Sequence, residues 1–310
     1  MEKVLITPRS YGKYRTAVVD EIRNAGYEPI LNPYGQILTK DQLKALLPDC
    51  AGVIVGVDPL DADVLSCAPN LRAISKYGVG TDNIDMEYCK AHGIPVTITR
   101  GANSNAVADY AFTLLCCCAR RVTEIDRQCH ARDCHKMMGL DIYGKSIGIL
   151  GLGAIGRGVA QRAAGFSMQV KAYDVFWDAA YAEAHGIAYA EPQEIFSTCD
   201  FISLHLPLTD ETRNLVDDAA FSLMKPSCIL VNTARGGLID ERALIRALQD
   251  HRIAAAGIDV FQEEPPADPD LYKLDNLIMG SHCAASTVGA SDTMSQMATD
   301  NLLQSLQAAR

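Results

Sequence analysis

Three side chains that could share one piece of chemistry each follow a predicted strand: Arg235, Glu264 and His282. A histidine titrates near neutral pH and can take the hydroxyl proton of an alcohol while a hydride leaves the carbon. A carboxylate beside the ring would hold its orientation and favour its charged form. A guanidinium can hold a substrate carboxylate through two parallel hydrogen bonds. Ligands of open parallel sheets bind beyond the carboxyl ends of the strands, so these residues predict one site there.

Each of these residues taken alone also has a structural interpretation. Arg235 could be a surface arginine in a glycine-rich loop, and a single histidine after a strand is usually structural. Three such residues on strand-end loops of one sheet favour the functional interpretation.

A glycine-rich turn lies in Lys145–Gly156, where an apolar strand leads into Gly151, Gly153 and Gly156 at the spacing G-x-G-x-x-G. In the dinucleotide-binding fingerprint these glycines allow the tight turn, the approach of the pyrophosphate and the packing of helix on strand. A helix-compatible stretch follows, and a second strand then ends on Asp174. An acid there accepts hydrogen bonds from the adenosine ribose and would repel a 2′-phosphate. The pattern predicts NAD in preference to NADP; the alternative is a βα turn without a ligand.

The elements that must position these residues read as two α/β domains with doubly wound parallel sheets. In the first hundred residues the predicted strands are Val4–Thr7, Glu28–Leu31, Ala51–Val57, Leu71–Ser75 and Val96–Ile98, and the predicted helices are Tyr14–Ala25, Lys40–Leu47, Asp61–Cys67 and Met86–His92. Helical spacing of apolar residues predicts one long helix from Ser104 to about Ala131 and an amphipathic core helix over Val288–Ala309. Between these two helices a six-stranded nucleotide-binding sheet is predicted from Ile147–Leu150, Val170–Tyr173, Phe201–Leu204, Ile229–Asn232, Ala255–Asp259 and Leu277–Met279.

The composition is that of a globular chain. Of 310 residues 48% are hydrophobic and 21% are charged, which is enough for two domains with a large core. The net charge of −10 disfavours nucleic acid and anionic membrane as partners. Neither an N-terminal signal pattern nor an apolar run of about 18 residues is visible, so no membrane helix is expected. The eleven scattered cysteines fit a reducing cytosol and predict a cytoplasmic location.

One cluster, Cys129, His130, Cys134 and His135, has residue types that can bind a metal. No second pair of ligands at metal-site spacing supports it. A polar helix end followed by a loop is the favoured interpretation, and no metal is predicted.

Several strings spread over the chain carry a resemblance to a known family. GLGAIG, NTARGGLID, DVFQEEP and SHCAAST resemble signatures of the D-isomer-specific 2-hydroxyacid dehydrogenases, and KYGVGTDNID resembles the family's substrate-domain loop. The resemblance implies a Rossmann NAD-binding domain (101–285) inserted in a flavodoxin-like substrate domain (1–100 and 286–310). It also implies NAD as cofactor, a small anionic 2-hydroxyacid or 2-keto acid as substrate, and a homodimer. The chain is most similar to short D-3-phosphoglycerate dehydrogenases, because no regulatory domain follows residue 310.

The resemblance assigns roles to matched positions. His282 would be the general acid/base, Glu264 would pair with it, and Arg235 would bind the substrate carboxylate and carbonyl. Substrate would also contact Lys76, Tyr77, Gly78, Val79 and Gly80, with backbone amides of this loop binding the carboxylate. The positions expected to contact NAD are Val79, Val107, Gly151, Gly153, Ala154, Ile155, Gly156, Asp174, His205, Leu206, Pro207, Thr212, Thr233, Ala234, Asp259 and Ala285.

Departures from the family pattern concern the substrate. Ser281 and Cys283 replace the usual proline and aliphatic residue on either side of the histidine, which is conservative for mechanism. Phosphoglycerate dehydrogenases often carry an arginine after the third strand of the substrate domain, whereas Val55–Pro59 contains no cation. Lys76 or Arg9 could replace it. Reduction of glyoxylate, hydroxypyruvate or another 2-keto acid therefore stays open beside phosphoglycerate oxidation, as does an NAD-sensing, corepressor-like binding protein.

Overall fold

The computed structural model describes residues 1–309, which form two compact units. The first unit consists of Met1–Asn103 and the chain from Ser286 onward. The second unit is the continuous segment Ser104–Ala285. Each unit is built on one sheet in which every strand pair is parallel.

The first sheet has five strands, β1 (Glu2–Ile6), β2 (Tyr27–Leu31), β3 (Cys50–Val55), β4 (Ala73–Lys76) and β5 (Val96–Ile98). The helices between them are α1 (Ala17–Asn24), α2 (Lys40–Leu46), α3 (Ala62–Leu65) and α4 (Met86–Ala91). The strand order β2-β1-β3-β4-β5 is the flavodoxin-like order. All residues of β3 are buried, as expected for a central parallel strand covered by helices on both faces.

The C-terminal helix, Val288–Ala308, completes the first unit by packing on β3, β4 and β5. Ala298, Leu302 and Leu306 are fully buried in the core that the helix shares with the strands. A Cβ added to Gly52 would lie 3.0 Å from a methyl of Leu302, so the helix lies close on the sheet. The predicted amphipathic core helix at the end of the chain is confirmed.

The second sheet has the strands β6 (Ser146–Leu150), β7 (Gln169–Tyr173), β8 (Ile187–Tyr189), β9 (Phe201–Leu204), β10 (Ile229–Asn232), β11 (Ala255–Ile258) and β12 (Leu277–Met279). The helices of this unit are α5 (Ser104–Arg120), α6 (Val122–His130), α7 (Ala154–Gly165), α8 (Ala179–Ala184), α9 (Pro192–Thr198), α10 (Asp218–Leu223) and α11 (Glu241–Gln249). The strand order β12-β11-β10-β9-β6-β7-β8 is the Rossmann order extended by one strand, so the predicted α/β fold class is confirmed for both units.

The prediction of six strands in this sheet was wrong by one. Strand β8 is a three-residue edge strand in which Ile187 is buried and its two successors are exposed. Such a segment has neither an apolar run nor an alternating pattern long enough to be recognised in the sequence.

The predicted single helix from Ser104 to about Ala131 was also wrong. It breaks at Arg121, whose backbone has a left-handed φ of 53°, into α5 and α6. Helix α5 buries nine side chains, whereas α6 buries none. The prediction of one continuous helix used Val122 as a buried apolar position. Val122 is 48% exposed, so no apolar stripe links the two helices. Within residues 1–309 no helix combines the length and the apolar composition that crossing a membrane requires.

Candidate active site

Three adjacent strands of the second sheet lead into the predicted catalytic residues. Strands β10, β11 and β12 are neighbours and run in the same direction, so their carboxyl ends lie at one edge of the sheet. Arg235 follows β10, Glu264 follows β11 and His282 follows β12. The sheet topology therefore brings the loops that carry all three residues together.

His282 and Glu264 form a hydrogen-bonded pair. His282 Nδ1 lies 2.9 Å from Glu264 Oε2, and Glu264 Oε1 accepts a bond of 3.2 Å from the Phe261 amide. Burial alone would raise the pKa of Glu264, but the hydrogen bond and charge of His282, the Phe261 amide and the charge of Arg235 together lower it below its usual value. The carboxylate is thus ionised at neutral pH and can hold the imidazole in one orientation. With Nδ1 occupied, Nε2 is the ring atom left to exchange a proton with a substrate.

The loop of His282 is fixed by Asp259, which is completely buried. The Asp259 carboxylate accepts bonds of 3.0 Å from the Cys283 amide and 2.8 Å from the Ala284 amide, and its backbone carbonyl accepts one of 2.8 Å from the His282 amide. His282 itself has a left-handed φ of 54°, which costs a non-glycine residue about 1–2 kcal/mol. The Asp259 carboxylate, a predicted NAD-contacting position, thus binds the loop that carries the histidine.

The loop of Arg235 is packed directly against the loop of Glu264. A Cβ added to Gly236 would lie 2.0 Å from the carbonyl carbon of Phe261, so only glycine allows this approach. The side chain of Asn232 braces the turn, because it donates to the Arg235 carbonyl (2.8 Å) and accepts from the Ala234 amide (3.0 Å). The amide of Ala234, a predicted NAD-contacting position, therefore already has a partner within the protein.

The glycine-rich turn has the shape that a diphosphate requires. Gly151 has a φ of 102°, and a Cβ there would lie 2.6 Å from the His205 carbonyl carbon. A Cβ on Gly156 would lie 2.0 Å from the Gly151 carbonyl oxygen. A Cβ on Gly153, by contrast, would meet no atom within 4 Å, so open space lies in front of this glycine at the start of α7. The N-terminal N–H groups of a helix facing such a space can bind phosphate.

Two further polar groups fit a bound dinucleotide. Asp174 follows β7, and its carboxylate accepts bonds of 2.6 Å from the Leu152 amide and 2.9 Å from the Phe176 amide. Each carboxylate oxygen keeps a second lone pair for a ribose hydroxyl. After β10, the hydroxyl of Thr233 is buried without a protein partner. A buried hydroxyl without a partner is costly unless a ligand satisfies it, so the residues present fit NAD.

The loop after β9 contains four of the predicted cofactor positions. The Nε2 atom of His205 lies 2.8 Å from Ser203 Oγ, and its Nδ1 is buried without a protein partner. Burial lowers the pKa of His205 to about 3, so the ring is neutral. Leu206 is buried, and the Pro207 carbonyl accepts a bond of 2.7 Å from the hydroxyl of Thr212. The remaining predicted positions, Val107, Ile155 and Ala285, are buried or partly buried, and Ala154 is exposed at the start of α7.

The predicted substrate loop of the first unit follows β4, and three of its residues have hydrogen-bond partners within the protein. Gly78 donates its amide to Thr99 Oγ1 (2.8 Å), so this amide is not available to a carboxylate. Lys76 is 5% exposed, and its ammonium group donates to the carbonyl of Gly56 and, at 2.7 Å, to the side-chain oxygen of Asn83. The hydroxyl of the partly buried Tyr77 donates to the carbonyl of Ser291 (2.9 Å).

The next two amides of this loop have no such partner. Within residues 1–309 the amides of Val79 and Gly80 donate to no protein acceptor; Val79 is exposed and Gly80 is partly exposed. These two N–H groups therefore remain as candidates for binding a carboxylate.

Comparison with known proteins identifies the family. The model of the D-isomer specific 2-hydroxyacid dehydrogenase NAD binding domain matches residues 112–284. This chain belongs to that family. It is 38% identical over 308 residues to a glyoxylate reductase of Korarchaeum cryptofilum, covering 94% of this chain and 92% of the relative. It is also 38% identical over 256 residues to a D-3-phosphoglycerate dehydrogenase of Mycobacterium bovis, covering 82% of this chain and 48% of that longer protein.

A solved structure supports the same assignment. The D-lactate dehydrogenase of Aquifex aeolicus, complexed with NAD and lactic acid, superimposes with a TM-score of 0.83 at 27% identity, covering 96% of this chain and 93% of that chain. The predictions of an NAD-dependent oxidoreductase and of NAD as its cofactor are confirmed.

The cysteine and histidine cluster of this dehydrogenase lies at the end of α6 and in the loop after it. His135 Nδ1 lies 2.8 Å from Asp133 Oδ1, and His130 Nε2 lies 3.6 Å from Asp126 Oδ1. Among residues 1–309 no group of three or more potential ligands could hold a metal ion.

One residue that supports the site was not recognised in the sequence. The carboxylate of Glu241, in the first turn of α11, accepts a bond of 2.6 Å from the Gln262 amide. It thereby ties the loop of Glu264 to a helix N-terminus. An acid in the first turn is a common helix-start signal, so the sequence offered no reason to give it a further role.

Proposed function

We propose that this dehydrogenase reduces a small, unphosphorylated 2-keto acid such as glyoxylate or hydroxypyruvate with NADH. Seven curated relatives that are 37–40% identical to it are named glyoxylate reductase. The second candidate is D-3-phosphoglycerate dehydrogenase activity, which the Mycobacterium bovis relative supports.

The observation that carries this choice lies at the carboxyl end of β3. Val57 is 53% exposed there, and the stretch Val55–Pro59 has no cation. Lys76, which could have supplied a cation, is buried against neutral oxygens of Gly56 and Asn83. A phosphate dianion normally requires an exposed arginine or lysine, and of the two candidates only Arg9 is exposed. An uncharged substituent on C3, or none, fits these residues better.

The proposed roles follow from the geometry of the second unit. When bound, NADH would supply the hydride for C2 of the keto acid. His282 Nε2 donates the proton that the carbonyl oxygen needs, and the Glu264 carboxylate stabilises and orients the ring through Nδ1. Arg235 binds the substrate carboxylate and polarises the carbonyl. In the opposite direction His282 accepts the hydroxyl proton, so one residue serves both directions.

We assign cofactor binding to the second unit and, besides the roles of Arg235 and His282, a part in substrate binding to the loop after β4 of the first unit. The Gly151–Gly156 turn would hold the diphosphate, and the Val79 and Gly80 amides would bind a substrate carboxylate. We further propose a homodimer in the cytoplasm. Strongly exposed apolar side chains of the second unit, Met138 (87%) and Tyr143 (74%), support a second copy. All eleven cysteines are free thiols, as in a reducing compartment.

A kinetic screen tests the substrate. NADH oxidation is measured with glyoxylate, hydroxypyruvate, pyruvate and 3-phosphohydroxypyruvate. We expect kcat/KM for glyoxylate or hydroxypyruvate to exceed that for the phosphorylated acid by at least about tenfold, a difference of about 1.4 kcal/mol. In the matched variant Val57→Arg, which adds a cation at the end of β3, this ratio should fall. A preference of the native enzyme for 3-phosphohydroxypyruvate would reject the proposal. Tight NADH binding without turnover of any acid would favour the sensor alternative.

The preference for NAD over NADP depends on the charge of Asp174. The variant Asp174→Asn keeps an oxygen acceptor for the Leu152 or Phe176 amide but removes the negative charge that would repel a 2′-phosphate. We expect the ratio of kcat/KM for NADPH to that for NADH to rise by at least about tenfold, since a nearby like charge costs about 1 kcal/mol or more. An unchanged ratio would show that Asp174 does not face the ribose.

A further inference from the structure

The side chain of Cys283 connects the catalytic loop to a helix that is distant in sequence. Its Sγ lies 3.4 Å from the Tyr110 hydroxyl oxygen and 3.6 Å from Asp259 Oδ1, both within the range of hydrogen bonds to sulfur. Cys283 directly follows His282. The thiol therefore contacts both the buried Asp259 carboxylate, which holds the loop, and the Tyr110 hydroxyl on α5.

Tyr110 is a fixed partner for this thiol. Its ring is partly buried and packs on the core between α5 and the second sheet. Burial, followed by the contact with Cys283, raises the pKa of Tyr110, so the hydroxyl stays protonated and uncharged at working pH. A neutral phenol can donate a hydrogen bond to sulfur or accept one from it, and a ring held in a core has little freedom to leave it.

The catalytic loop needs such a contact because its conformation is strained. His282 has a left-handed φ of 54°, which persists only where the surroundings determine it. Asp259 accepts hydrogen bonds from the backbone of this loop. A Cβ on Gly280 would lie 2.1 Å from Asp259 Oδ1, so the chain at Gly280 packs directly against that carboxylate. The backbone amides of residues 282–284 all donate to this one residue, Asp259. Tyr110 holds the next side chain from a separate element.

We infer that Tyr110 is a positioning residue for His282 and acts through the thiol of Cys283. The phenol on α5 fixes Cys283, and the backbone that Cys283 shares with His282 then keeps the imidazole against Glu264. This inference rests on the proton-transfer role proposed for His282, but the loop contact itself is independent of that role.

Two variants of the full-length protein test the contact. Tyr110→Phe removes the hydroxyl, and Cys283→Ala removes the thiol without adding volume to this partly buried position. A neutral hydrogen bond is worth about 1 kcal/mol, so we expect kcat for keto acid reduction to fall about fivefold in each, with the KM for NADH unchanged. In the protein without cofactor, amide hydrogen exchange in the segment 280–285 should become about fivefold faster, and exchange elsewhere in the second unit should not change. The double variant should lose no more than either single variant, because both remove the same bond.

The control is Tyr34→Phe, since this tyrosine is 49% exposed and has no role in the proposed site. It should leave kcat and the exchange of segment 280–285 unchanged. The inference is overturned if Tyr110→Phe alters neither quantity, or if the losses of the two single variants multiply in the double variant. The exchange measurement decides the contact even if the native enzyme turns over none of the acids tested, so failure of the proposed function and failure of this inference are distinguishable.

Discussion

Replacing His282 by alanine is expected to lower kcat for keto acid reduction by about 10³-fold, within the range typical of lost general acid–base catalysis. The variant removes the ring atom that exchanges the proton. The loop should keep its shape, because its bonds to Asp259 come from the backbone amides of His282, Cys283 and Ala284 and not from the imidazole. NADH should therefore bind with nearly native affinity.

Steady-state kinetics and titration of NADH fluorescence measure the two quantities separately. The matched variant Glu264→Gln keeps a hydrogen-bond acceptor for His282 Nδ1 but removes the charge that stabilises the imidazolium. It should show a smaller loss of kcat, about 10–100-fold. A fall of less than tenfold for His282→Ala, or a large loss of NADH affinity, would contradict the proposed role of the histidine.

Replacing Gly153 by alanine is expected to separate cofactor binding from folding. The backbone of Gly153 is extended, with a φ of −72°, and an added Cβ would contact nothing within 4 Å. The fold should therefore accept the methyl group, and Tm should not change. The methyl group would stand where the pyrophosphate approaches the chain, so the Kd for NADH should rise by at least about tenfold.

Two glycines of α7 serve as matched variants for this experiment. Gly156→Ala places a Cβ 2.0 Å from the Gly151 carbonyl oxygen and should lower Tm as well as NADH affinity. Gly165→Ala places a Cβ in open space at the far end of the helix and should change neither. Native affinity in the folded Gly153→Ala protein would mean that the diphosphate does not bind at this turn.

The sequence was sufficient to predict the elements that carry a strong local pattern. The fully buried strand β3, the glycine spacing before α7 and the amphipathic C-terminal helix each have an apolar or glycine signature that admits few alternatives. The strand-end positions of Arg235, Glu264 and His282 followed from the rule that parallel strands point their carboxyl ends to one edge.

What could not be predicted depends on tertiary contacts. The residues around Arg121 give no sign of its left-handed backbone conformation. The helix breaks there because the residues of α6 have no core to pack against, and this is a tertiary property. The amide of Gly78 donates to the side chain of Thr99, and the ammonium group of Lys76 donates to Gly56 and Asn83. These hydrogen bonds join separate segments of the chain, so only the folded structure reveals them. The contact of Cys283 with Tyr110 spans 173 positions of the chain, far beyond any local signal.

The composition of the first unit from two distant stretches of chain has a consequence for biosynthesis. The face of β3 and β4 on which Leu302 and Leu306 pack lacks this helix until the end of the chain is synthesised, whereas the second unit is one continuous segment that ends at Ala285. The second unit can therefore fold while apolar side chains of the first unit's sheet are still exposed to water. During translation, chaperone demand should accordingly fall on the N-terminal segment.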